Sequence, residues 1–370
     1  MRMKLGYREA LVISSATMAK EALKTNDLAF SSRPSFIGQQ SLRRVKQLQP
    51  IREDEVSQMI NPISKRAFSY QQVNLSEIAM SLTSSVTCRS AFGLSYDEEG
   101  QEKRRFHKLS NEAQAMFAGG SLVADFFPLF GWIIDKLTGK VARLERVFKG
   151  LDSFYQELID KHLQPNRPKS MDGDIIDILL GLMEENSSLV NLTWDHIKAV
   201  LMNVFVGGTA TSAVVIIWAM TALMKDPRVM NKVQQEIREF IGREIISKCT
   251  IDKYAIKPKT IVIINAWAIA RDHEYWKDPE EFYPERFLEC NIDYKGQNFE
   301  FIPFGAGRRM CPGMALGLVV AELALANLLY AFDWELPSWM KKEDIDTESL
   351  PGLAMHKKNH LCLFAKSAQV

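Results

Sequence analysis

In the stretch Phe304-Gly305-Ala306-Gly307-Arg308-Arg309-Met310-Cys311-Pro312-Gly313, a single cysteine stands on a glycine-flanked loop. From Pro312 to about Phe332 the chain then reads as a long apolar helix. Such an arrangement suits a thiolate that ligates a metal. Glycines let the backbone fold back close to a flat cofactor, and proline at the first helical position is preorganised. Backbone N–H groups and the positive end of the helix dipole favour an anionic sulfur. Arg308 and Arg309 supply permanent cations for the acidic edge of such a cofactor. A structural cysteine buried beside a helix start is the plainer alternative.

A second group of residues carrying chemistry lies upstream, at Gly207-Gly208-Thr209-Ala210-Thr211-Ser212, inside an uncharged run from residue 199 to 224. That run exceeds the ~20 residues that span a bilayer, so a transmembrane helix is the bland reading. Asn203, the glycine pair and the hydroxyls at Thr209, Thr211 and Ser212 favour a core helix opened locally beside a polar cavity.

Phe304, Gly307, Arg309, Cys311 and Gly313 fall on the fixed positions of Phe-x-x-Gly-x-Arg-x-Cys-x-Gly. In this the segment resembles the haem-binding signature of the cytochrome P450 family. Pro284-Glu285-Arg286-Phe287 looks like the family's Pro-Glu-Arg-Phe element, and Gly207 to Ser212 like the oxygen-activating kink of its central helix. Asn265 to Asp272 and the tail from Leu350 to Leu363 are similar to plant microsomal members of specialised metabolism. The resemblance implies a mainly α fold with a small β-sheet, the cytochrome P450 fold in incomplete form. It also implies haem b (iron protoporphyrin IX), with Cys311 as axial ligand of the iron; thiolate ligation favours O–O cleavage.

Further roles follow from the same resemblance. Arg309 would pair with a haem propionate, and Arg243 occupies the place of a second propionate-binding arginine. Phe304 would lie beside the sulfur and limit its solvation, and Arg286 would belong to a structural Glu-Arg-Arg triad. Thr211 keeps the hydroxyl that organises protons for dioxygen cleavage. Ala210, however, stands where relatives carry a carboxylate: either water and Thr211 suffice, or oxygen activation is slow and uncoupled, or the haem carries out a rearrangement or dehydration instead. The bland reading of Thr211 is a hydroxyl bonded back to the preceding turn. Val204, Phe205, Gly208, Leu353 and Met355 match pocket-lining stretches. Partners would be an NADPH-cytochrome reductase, dioxygen and a small hydrophobic substrate. Location would be the cytosolic face of the endoplasmic reticulum membrane.

Composition narrows the field around these residues. Hydrophobic content of 46% and charged content of 25% are ordinary for a globular chain. A net charge of +1 gives no general attraction to nucleic acid. Cysteines at 88, 249, 290, 311 and 362 are scattered with no C-x-x-C pair, against a disulfide framework or zinc site and in keeping with a reducing compartment. His356 and His360 have helical metal spacing but sit in a Lys-rich loop and read as surface chemistry. The opening residues run straight into strand-like Ala10 to Ile13, so the reading expects no anchor and at most peripheral membrane contact.

Periodicity places the supporting elements. Helices are expected over Ser15–Asn26, Arg52–Phe68, Ser76–Ala91, Phe106–Phe117, Arg143–His162, Asp174–Glu184 and Trp194–Lys225, the last capped by Thr193. Another follows Asp226-Pro227 and stops at Gly242, and strands are expected near Thr250–Ile256 and Thr260–Asn265. The helix from Pro312 is apolar nearly all round and should be buried.

Measured against the family pattern, two pieces are absent: a Trp-x-x-x-Arg helix near Gln40 and a Glu-x-x-Arg helix near Gly242. A single domain over 1–370 with internal deletions near 40–42 and 242–243 is expected, with Arg286 left without the glutamate and arginine partners of the triad. Losing buried ion-pair partners costs ~3–5 kcal/mol out of a total stability of ~5–15 kcal/mol. Three readings therefore stand: a haem-thiolate monooxygenase, a non-catalytic or unstable remnant of one, and a single-pass membrane protein.

Overall fold

The computed structural model describes residues 2–5, 8–25, 48–93, 123–127, 129–168, 173–184, 192–239, 261–288, 292–307, 310–350 and 354–368, with isolated residues at 105, 109, 112 and 290. The chain gathers into two compact units. The first comprises Met1–Ser41, Leu122–Ile134 and Ile241–Met314; the second comprises Leu42–Ser121, Asp135–Phe240 and Ala315–Val370.

In the first unit, β1 (Arg2–Leu5) runs antiparallel to β2 (Arg8–Ile13), pairing Arg2 with Leu11 and Leu5 with Arg8. β2 then pairs in parallel with β4 (Ile261–Ile264), Ile13 opposite Ile264. Ser15 caps α1 (Ala16–Lys20), its hydroxyl accepting from the Met18 amide at 3.4 Å. The helix expected over Ser15–Asn26 does not stay α: from Glu21 to Thr25 it widens into π turns. Ile13, Ala16, Ala19 and Ala22 bury their small apolar side chains against Ile269, Phe299, Ile302 and Ala306.

In the second unit, helices dominate. α2 (Gln49–Phe68) turns Val56, Met59 and Ile63 inward at helical spacing. β3 (Gln72–Asn74) leads into α3 (Leu75–Phe92), where the Asn74 side chain accepts from the Glu77 amide and Gly93 ends the helix in the left-handed region. α4 (Lys140–His162) lays Val147, Leu151, Phe154, Tyr155 and Leu158 against α5 (Ile175–Glu184) and α6 (Trp194–Lys225). Thr193 caps α6 as its sequence position predicts, accepting from the His196 amide at 3.3 Å. Asp226 caps α7 (Pro227–Glu239), and α8 (Met314–Ala331) precedes β5 (Phe332–Glu335). β6 (Ser349–Leu350) and β7 (His356–Lys357) form a two-stranded ladder. β8 (Cys362–Ser367) sits between β3 and β5, antiparallel to both.

The mainly helical class with little sheet thus holds; among the described residues the strands form two three-stranded sheets and one two-stranded sheet. α6 and α8 are the two described helices long and apolar enough to cross a membrane. α6 nevertheless packs along α3 through Ala213, Ile216, Ile217 and Met220, each worth on the order of 1.5–3 kcal/mol in apolar burial for the larger side chains. α8 departs from expectation: full burial is confined to Val320, Ala321, Ala324, Leu328 and Leu329, while Met314 to Val319 stay half-covered. The expected helix at Phe106–Phe117, the stop at Gly242, the strand at Thr250–Ile256 and both junctions fall largely or wholly outside the described residues.

Candidate active site

The cysteine loop is built by its glycines. Gly305 and Gly307 hold φ of +73° and +63°, the left-handed region where a side chain is strained. A Cβ on Gly307 would also sit 1.9 Å from the Leu23 carbonyl oxygen, inside the π turn after α1. The loop closes on itself where the Cys311 amide donates to the Phe304 carbonyl at 2.9 Å, and the Met310 amide donates to Gly307 at 3.2 Å. Pro312 and Gly313 belong to the closing turn, so α8 starts at Met314 rather than at the proline. A Cβ on Gly313 would lie 3.9 Å from the Cys311 sulfur, in ordinary contact.

This geometry answers what a haem-thiolate ligand needs. Cys311 is exposed and a free thiol, so its sulfur is accessible to a metal, and a buried structural role is ruled out. Phe304 is next to Cys311 through its backbone, while its ring meets Tyr294 edge-on at 6.2 Å. Upstream, Trp276, Phe287 and Phe301 stack as an aromatic knot with centroids 5.1–5.9 Å apart, and the Trp276 indole N–H donates to the Glu300 carbonyl. These contacts brace the strand of chain that enters the loop.

Arg286 binds main chain: its guanidinium donates to the carbonyls of Lys277 (2.6 Å), Asp278 (2.9 Å) and Glu281 (3.0 Å), and its Nε donates to the Tyr283 carbonyl (3.0 Å). Five fixed N–H donors suit such a cage of carbonyls. A cleft of about 490 Å³ opens beside it, lined in part by Tyr275, Trp276 and Cys290.

In the second unit, α6 carries the other candidate residues. Asn203, Gly207, Thr211 and Val215 repeat every four residues, and all four are exposed although their neighbours at 205, 206, 209, 210, 212 and 213 are buried. One accessible stripe therefore runs along an otherwise core helix. Thr211 lies on it, its hydroxyl donating to the Gly207 carbonyl at 2.7 Å. That is the back-bonded geometry, yet the oxygen remains exposed and able to accept. Ala210 is off the stripe and buried.

The pocket residues divide. Phe205 is a core residue, its ring among Phe154 (5.7 Å) and Tyr155 (6.1 Å). Gly208 faces α3, where a Cβ would come within 2.9 Å of the Thr87 hydroxyl, so its smallness serves helix packing. Next to it Thr83 donates its hydroxyl to the Thr209 carbonyl at 2.5 Å, tying α3 to α6. Val204 is half-buried. Met355 is exposed, and its carbonyl accepts the Trp218 indole N–H at 2.9 Å, which fixes it beside α6. Arg243, Arg309 and Leu353 lie outside the described residues. Asn203 was read from the sequence only as a sign of a polar cavity and Val215 was missed; the four-residue spacing through Gly207 and Thr211 was the signal that could have joined them into one stripe.

Comparison with known proteins bears on family and fold. The profile of the family described as Cytochrome P450 matches residues 35–247 and 239–364. The chain is 44% identical to a 5-OH-xanthotoxin synthase of Pastinaca sativa, spanning 99% of this chain and 86% of that protein. It is also 44% identical to a 6,7,8-trihydroxycoumarin synthase of the same plant (98% and 85%), and 43% identical to Cytochrome P450 71B37 of Arabidopsis thaliana (98% and 85%). A zebra fish cytochrome P450 solved with progesterone shares the fold, with a TM-score of 0.78 at 20% identity over 99% of this chain and 96% of that one.

Proposed function

The chain belongs to the cytochrome P450 family of haem monooxygenases, and from that premise we propose that it hydroxylates a small, flat, hydrophobic aromatic of coumarin type. One oxygen atom of dioxygen enters a C–H bond as hydroxyl and the other leaves as water. NADPH supplies two electrons through a reductase partner, and a proton from solvent balances the reaction. The coumarin class is supported by the names of two relatives at 44% identity. The reading as a non-catalytic remnant gains no support from these relatives.

The single observation that carries the reading is the free, exposed Cys311 on a loop set by Gly305 and Gly307. Bound haem supplies the oxygen-insertion chemistry. Cys311 holds its iron, Gly307 and Gly313 keep side chains away from the approach, and Phe304 closes the loop through its carbonyl. Arg309 and Arg243 neutralise propionates in this reading. Thr211 accepts and hands on protons through its exposed oxygen; Ala210 takes no part, so proton delivery runs through the hydroxyl and solvent. Internal deletions near 40–42 and 242–243 remain part of the proposal. They are supported by an alignment that extends over 438 residues against a chain of 370.

The same proposal puts the chain at the cytosolic face of the endoplasmic reticulum membrane. Support comes from residues 127–137, where Leu129 (77%), Trp132 (55%) and Leu137 (82%) are exposed together with Phe127, Phe130 and Ile133. Lys136 and Lys140 flank them. Apolar side chains with an aromatic anchor and basic flanks suit an anionic lipid surface.

Purified protein loaded with haem, reduced and exposed to carbon monoxide, should give the red-shifted Soret band of thiolate ligation. With NADPH and a plant reductase it should convert coumarin to a hydroxylated product. A folded, haem-loaded sample without that band overturns the haem-thiolate reading. The band without a hydroxycoumarin overturns the substrate class.

A further inference from the structure

We infer that Asn203 is a specificity-determining residue that holds the lactone oxygens of the substrate. The inference rests on the coumarin-type reading above and extends it to a named side chain. In the run from residue 199 to 224, Asn203 is the only carboxamide, and it sits on the exposed stripe rather than on a buried face. Its Nδ2 donates to the Ala199 carbonyl at 2.8 Å. A carbonyl can only accept, so the nitrogen is fixed on that side and the amide cannot be flipped. One further N–H and the amide oxygen remain, with no partner among the described residues.

The next stripe residue is Gly207, and nothing lies within 4 Å of where its Cβ would be. The helix therefore leaves open space one turn beyond Asn203, enough to admit the face of a flat ring. A turn further stands Thr211, the exposed hydroxyl assigned to proton handling. Eight residues at the helical rise separate Asn203 from Thr211 by about 12 Å, the scale of a two- or three-ring aromatic with its edge substituents. A ring system laid across Gly207 would put one end at the Thr211 hydroxyl and the other at the Asn203 N–H. Lactone oxygens accept hydrogen bonds and cannot donate them, which matches the remaining N–H. Leaving such a donor unmatched costs affinity, so a hydrocarbon of the same shape should bind less well.

Equilibrium dialysis with the haem-loaded enzyme tests this, using coumarin and naphthalene as probes of equal shape. In the wild type coumarin should bind more tightly than naphthalene. Asn203→Leu should weaken coumarin binding about tenfold and leave naphthalene unchanged or improved. Asn203→Asp keeps the size but replaces the N–H with an acceptor, and should weaken coumarin likewise. Asn203→Gln restores the donor and should recover part of the preference. Because Asn203 is exposed, none of these changes should unfold the chain, and the carbon monoxide band verifies each sample. Equal loss for both probes, or an unchanged preference in Asn203→Leu, overturns the inference while leaving the coumarin reading intact. A wild type that neither binds nor hydroxylates coumarin removes that reading itself.

Discussion

At the scale of single residues, the cysteine loop makes the sharpest demands. Cys311→Ala should abolish the thiolate-type carbon monoxide spectrum, since no adjacent side chain offers an axial sulfur; a variant that retains the band would refute the assignment. Gly307→Ala meets two obstacles at once, a positive φ and the Leu23 carbonyl. The strained φ alone costs about 1–3 kcal/mol, so haem retention and thermal midpoint should both fall, measured by absorbance on heating. Ala210→Asp is a different case. The position is buried, and an acid there must shed water without a partner, so the variant should melt earlier. An unchanged midpoint would mean that water reaches the site. The glycine-flanked loop around Cys311 was legible in the sequence, whereas the contact of Gly307 with Leu23 joins distant parts of the chain and no local pattern announces it.

Between elements, the α3–α6 contact decides how the exposed stripe is presented. Gly208 lets the helices close on Thr87, and Thr83 draws on the Thr209 carbonyl. Gly208→Val should push them apart and cost about 1–3 kcal/mol, read as a lower denaturant midpoint at unchanged slope. Tyr155 offers the opposite test. Its hydroxyl is buried among Phe154 and Phe205 with no hydrogen-bond partner among the described residues, and burial pushes its pKa up. Tyr155→Phe should therefore stabilise α4 against α6 by up to about 1 kcal/mol; destabilisation would reveal a partner for the hydroxyl. The α6 boundaries could be read from Thr193, Asp226 and the charge-free run between them. That α8 would be only half-covered at Met314–Val319 could not, because burial depends on what other segments lay against an apolar face.

For the molecule as a whole, pH should act through His162. Its Nδ1 lies 2.7 Å from the Leu158 carbonyl and its Nε2 lies 2.7 Å from an Asp174 carboxylate oxygen. Both neighbours accept, so both ring nitrogens donate and the imidazole is charged. Burial alone would lower its pKa, but the bond to Asp174, the Leu158 carbonyl and the charges of Asp174 and Asp177 outweigh it and raise the value. A raised folded pKa gives stability that is complete below the ordinary value of about 6.5 and is lost as pH climbs through the folded one. The thermal midpoint should decline from about pH 6.5 upward, and His162→Gln should flatten that decline. A wild-type midpoint insensitive to pH over this range would contradict the charged pair.

By itself the sequence determined the family and the local frame. The ten residues around Cys311 carried the resemblance to a haem-binding signature, and caps and periodicity set α2, α3, α4 and α6 to within a few residues. These are short-range matters of spacing, dihedral preference and hydrogen-bonding type. Tertiary structure alone decided which face of α6 is open, that Phe205 is core and Asn203 is not, and that Arg286 finds its partners in four backbone carbonyls. Each of those outcomes depends on side chains and main chain brought together from distant positions, where packing and hydrogen-bond satisfaction override local preference.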